Sequence, residues 1–264
     1  MAEITFSQEN IWSLAAMAIF GILIPVAAVV MWRVVLRKGT MKPVLIGAGM
    51  FFLFAVVLER MLHIVMMPLV SGNIVLTALY GGIAAGLFEE TARFISFKFL
   101  MKNSRSAETA VSYGLGHGGF EAVYILGLTA VSALMMAGSV SSMGLSGFLD
   151  SASGGSESVA EQLMAQIASF SQVTAINAAL AVFERIVAMA LHVSLSVLVM
   201  EAVMVKGRMW LYPAAIVIHA LMDIPAVLYQ CGAIPIIVCE LMMTVFTAVW
   251  AVVAFRRYKF LKNQ

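Results

Sequence analysis

Long apolar runs, broken by short polar stretches, recur along the whole chain. A helix rises about 1.5 Å per residue, so roughly 20 apolar residues cross a bilayer core. Seven segments reach that length: 10–32, 43–67, 74–100, 108–137, 173–205, 210–230 and 234–255. They are too long for barrel strands and show no two-residue alternation, so the pattern predicts an all-α polytopic membrane helix bundle. The connection 138–172 differs. Serine and glycine crowd its first half, SVSSMGLSGFLDSASGGSES, which reads as a flexible outer loop. Val159, Leu163, Ile167 and Phe170 then recur at helical spacing and predict an amphipathic helix at the membrane surface. No repeat or second domain is visible, so residues 1–264 read as one integral-membrane domain.

Composition and charge agree with this and add direction. Of the 264 residues 62% are hydrophobic and 11% charged, well outside the range of soluble domains. With a net charge of +2 the chain offers no cationic face for nucleic acid. Three of its 16 basic residues, Arg60, Arg93 and Arg185, lie inside spans, and the other 13 gather at alternate span ends. Cytoplasmic loops retain lysine and arginine, so the expected topology is N-terminus out and C-terminus in. The leader MAEITFSQEN has no basic segment, and the first span is expected to remain as an anchor. Trp210 and Tyr212 beside Arg208 read as interface anchors, and the many methionines as packing. Cys231 and Cys239 form no CxxC pair.

Ionisable side chains inside the spans carry the functional signal, because each needs a partner or a water-filled cavity there. Glu89, Glu90, Glu121, His192 and Asp223 all fall about 20 Å from the basic ends of their spans, and His117 and His219 about 15 Å. Four helices thus deliver acids and imidazoles to one level. His117 and Glu121, His219 and Asp223, and Glu89 and Arg93 are i, i+4 pairs that share a helix face. Glycines flank the set at positions 81, 82, 86, 114, 116, 118 and 119, where they admit close helix approach. A second layer, Glu59, Arg60, His63, Glu184, Arg185 and Glu240, lies nearer the other face and reads as ion pairs that neutralise one another.

Peptide hydrolysis needs an activated water, a donor to the oxyanion and an acid for the leaving amine, and the inner layer holds all three types. Two chemistries fit. In one, a buried glutamate activates water alone and histidines carry protons. In the other, His117, His192 and His219 bind zinc, with Glu121 or Asp223 as a fourth ligand or orienter. No HExxH motif is present. A proton- or cation-coupled transporter is the alternative reading, because rows of intramembrane acids and histidines also make proton relays.

The series Glu89-Glu90-x-x-Arg93, His117-x-x-x-Glu121 in GLGHGGFEAV, His192 in ALHVSLSVL and His219-x-x-x-Asp223 in IHALMDIPA resembles the YhfC family of intramembrane peptidases. That family is similar to PrsW proteases, type II CAAX prenyl endopeptidases and the Aph subunit of gamma-secretase. The resemblance covers about residues 75–230. It implies a bacterial cytoplasmic-membrane protease acting on a membrane-anchored protein or peptide. Glu89 would activate water, with Glu90 and Arg93 as supports, Glu121 in the second catalytic position, and His219 with Asp223 near the oxyanion. CAAX enzymes show EExxxR, FxxxH and a final asparagine, so the spacing and residue types here favour a PrsW- or YhfC-type activity. The Aph branch keeps a non-catalytic scaffold open as an outcome.

Overall fold

The computed structural model describes residues 4–264, so the first three residues of the leader lie outside the description. Eight helices and no strand occur among the described residues. Seven are long and apolar enough to cross a membrane: α1 (Gln8–Val35), α2 (Met41–Val70), α3 (Ile74–Leu100), α4 (Ala107–Ser153), α6 (Ala175–Met204), α7 (Leu211–Gln230) and α8 (Ile236–Lys262). Between α4 and α6 lies α5 (Glu157–Phe170). It is the amphipathic helix expected from the spacing, and it buries Ile167 completely.

One local expectation is revised. The Ser/Gly-rich stretch after residue 138 is helical as far as Ser153, and α4 bends at Gly144, whose φ of 77° only glycine adopts readily. The buried side chains of Ala133, Ala137 and Val140 carry the helix past the end of its most apolar part. Four π-helical stretches widen the spans, at Met31–Val35, Phe52–Glu59, Ser96–Leu100 and Val123–Leu128.

The chain divides into two compact units. One contains the chain through Ile24 and Ala122–Arg185, and the other Pro25–Glu121 and Ile186–Gln264. In the first, α1 meets α4 backbone to backbone: a side chain on Gly21 would come within 2.7 Å of the Gly127 nitrogen. Asn10 there donates to the Val173 carbonyl at 2.9 Å. Its Glu184 pairs with the adjacent Arg185.

The second unit holds every residue of the inner polar layer. Its core packs Phe97, Tyr113, Leu191, Leu195, Leu198 and Met200 with Ile218, Met222 and Met243. Lipid removes the hydrophobic drive between helices, so close packing and internal hydrogen bonds hold such a core. Glycine permits the approach. A Cβ on Gly82 or Gly86 would lie 2.5 Å from the carbonyl oxygen of Ala220 or Ile216, which sets α3 against α7. One on Gly114 would strike the Val193 backbone at 2.6 Å, setting α4 against α6. One on Gly116 would reach the Val44 carbonyl at 2.0 Å, setting α4 against α2. Cys231 is exposed and Cys239 buried.

Candidate metal centre

Those glycine contacts bring the polar motifs of α3, α4, α6 and α7 into one cluster. Glu89 is at its centre. Its Oε2 receives the Nε2 proton of His117 at 2.8 Å. His192 Nδ1 and His219 Nε2 each lie 3.9 Å from the same oxygen. Three imidazoles from three helices therefore converge on one carboxylate oxygen, and all four side chains are buried.

The remaining residues fix the rings. Glu90, one residue on, accepts from His219 Nδ1 at 2.8 Å and pairs with Arg93. Glu121 pairs with His192 through Nε2. Arg93 is wholly buried, donating to Ser196 Oγ at 3.0 Å and to His192 Nδ1 at 3.1 Å. Asp223 Oδ2 lies 3.4 Å from His219 Nε2. The rings of His117 and His192 are 4.9 Å apart, and those of His192 and His219 5.2 Å.

All the residues read from the sequence as site members, Glu89, Glu90, Arg93, His117, Glu121, His192, His219 and Asp223, are thus brought together. The helix-face pair His219 and Asp223 is kept, while the pairing of the other acids differs. Arg93 joins Glu90 and leaves Glu89 to the histidines, and Glu121 reaches across to His192. Tyr113, Ser196 and Phe51 were not singled out. Tyr113 lies under the Arg93 guanidinium and Phe51 packs edge-on to His117 at 5.2 Å. Tyr113 and Ser196 stand four residues from His117 and His192, so helical spacing from each histidine marks them. Glu59, read in the second layer, is buried and pairs with His63 of the same layer at 3.3 Å.

Comparison with known proteins decides the family. The family model described as YhfC intramembrane metalloprotease matches residues 20–255. The chain belongs to the YhfC intramembrane metalloprotease family. It is 31% identical over 236 residues to the "Uncharacterized membrane protein YhfC" of Bacillus subtilis (strain 168), covering 86% of this chain and 88% of that protein. No solved structure matches it.

A metalloprotease family implies a metal, and the donors here can be tested against one. Glu89, His192 and His219 each present one ligand atom, all within 4.8 Å of one another. Two imidazoles and a carboxylate are a donor set of catalytic zinc sites. His219 has its far nitrogen on Glu90 and His192 its far nitrogen on Glu121, the carboxylate–histidine arrangement that fixes each tautomer. The near nitrogen of His219 lies beside Asp223, and that of His192 accepts from Arg93, a hydrogen bond that it must give up to take an ion. The residues of this YhfC-family cluster fit such an ion. His117 differs from the other two. Its Nε2 is engaged by Glu89, and its buried Nδ1 has no hydrogen-bond partner among the described residues.

Proposed function

We propose that the chain is an intramembrane protease that hydrolyses a peptide bond of a membrane-anchored protein or peptide. The carrying observation is the convergence of His117, His192 and His219 on Glu89 Oε2 inside a bundle of apolar spans. Such a group of ionisable side chains is costly in a membrane interior, and it suits water activation there. The 13 basic residues at alternate span ends support an orientation with the N-terminus out and the C-terminus in the cytoplasm. The bacterial relative is consistent with a cytoplasmic membrane.

In this reading Glu89, His192 and His219 hold a zinc ion. When bound, that ion polarises the scissile carbonyl and acidifies a water. The chain's own groups do the rest. Glu90 holds the proton of His219 on Nδ1, and Glu121 holds that of His192 on Nε2, so neither ring turns away. Arg93 pins Glu90 and Ser196 and keeps α3 in register with α6. Asp223 Oδ2 is the base at the accessible edge of the cluster. It takes a proton from the attacking water as the C–O bond forms, and returns it to the amide nitrogen as the C–N bond then breaks. His117 donates from Nε2 to Glu89 and holds that carboxylate in place.

Reconstitution with single-spanning peptides tests the reading. Cleavage products detected by mass spectrometry, lost with a zinc chelator and restored by zinc, are the expected result. Ion uptake into the same vesicles, abolished by Asp223→Asn and with no peptide cut, would establish the transporter instead.

A further inference from the structure

Burial in the second unit is unequal on the two sides of the cluster. Towards the span ends that carry lysine and arginine, Phe97, Tyr113, Leu195 and Leu198 fill the interior and are at most 1% exposed. Towards the opposite ends the packing opens. The Asp223 side chain is 31% exposed and that of His63 36%. Tyr80 is half-buried, and its hydroxyl is 2.7 Å from His63 Nδ1. The other ring nitrogen of His63 meets the buried Glu59, which completes a polar chain from Tyr80 through His63 to the Glu59 carboxylate. Depth places these groups at one level. His63 is seven residues before the end of α2, Asp223 seven before the end of α7, and Tyr80 six after the start of α3. Each is therefore about 10 Å inside the ends that lack basic residues.

An accessible carboxylate and imidazole at that depth are disfavoured against hydrocarbon, and such groups face a water-filled cavity. We infer that water and the scissile segment reach Glu89 through an aqueous cleft that opens at the non-basic ends of this unit, with Asp223 at its floor and His63 and Tyr80 on its wall. The inference rests on the hydrolytic reading for its substrate. The wall offers the Tyr80 phenol, held by His63, to the backbone of an unwound peptide. The apolar plug of Phe97, Tyr113 and Leu195 closes the cytoplasmic side. Substrates then enter from the outer face.

Thiol accessibility tests the route without any need for activity. In full-length protein carrying Cys231→Ser and Cys239→Ser, a charged, membrane-impermeant maleimide reacts with a thiolate in water and leaves a thiol in lipid untouched. His63→Cys and Tyr80→Cys are expected to be labelled from the face opposite the basic C-terminal segment. Ile83→Cys, at a side chain 54% exposed on the same helix as Tyr80, is expected to stay silent, as is Leu195→Cys from either face. His63→Cys and Tyr80→Cys as silent as Ile83→Cys would overturn the inference, and so would labelling of Leu195→Cys from the basic face. Tyr80→Cys alone suffices where His63→Cys does not accumulate. Silence at both wall positions beside intact cleavage would retire the route and leave the protease standing; labelling without cleavage would do the reverse.

Discussion

Arg93 shows how closely the chemistry depends on single side chains. It is fully buried, and its guanidinium serves Glu90, Ser196 and His192 at once. Removing one member of a buried ion pair leaves the other uncompensated and costs about 3–5 kcal/mol. Arg93→Met is therefore expected to lower thermal stability in detergent strongly, and Arg93→Met with Glu90→Met to recover much of the loss. Glu121 pairs with His192, and the proposed function makes it a support of that ring. Glu121→Gln should weaken zinc affinity by about 10- to 100-fold with the fold retained, as checked by competition with a metal indicator. The residue types of the cluster were legible from their depth and i, i+4 spacing. Their partners were not. The shared helix face suggested Glu89 with Arg93 and His117 with Glu121, whereas α6 and α7 bring in His192 and His219 as competing partners that no single-helix pattern contains.

At the scale of elements, glycine decides how near the site helices stand. The Ala220 carbonyl lies where a Cβ on Gly82 would have to go, and backbone cannot yield as a flexible side chain does. Gly82→Val is expected to cost about 1–3 kcal/mol of stability. By parting α3 from α7 it should also separate Glu89 from His219, so zinc affinity falls together with the midpoint of thermal unfolding. The span boundaries were legible because the apolar runs set them: 210–230 against Leu211–Gln230, and 173–205 against Ala175–Met204. The end of α4 was not, since serine and glycine composition suggested a loop where helix continues to Ser153. The π-helical stretches left no trace in the hydropathy pattern. The one that begins just after Arg93 lies beside the cluster, as such insertions frequently do at functional sites. These stretches also shift which side chains share a face.

For the whole molecule, the alternation of basic residues gives the expected orientation. A reporter enzyme active only outside the cytoplasm should be inactive when fused after Gln264 and active when fused within 154–156, between α4 and α5. The reverse pattern would invert the topology. The account as a whole stands on the claim that the Glu89 cluster cuts peptide bonds. The most direct measurement compares wild-type protein with Glu89→Gln in proteoliposomes holding a cleavable single-spanning peptide, reading products by mass spectrometry. Glutamine keeps the size of the side chain but cannot supply the carboxylate on which His117, His192 and His219 converge. The account predicts a defined cut by the wild type and a loss of rate of about 100-fold or more in the variant, with both equally folded. Equal cleavage by the two proteins would contradict it.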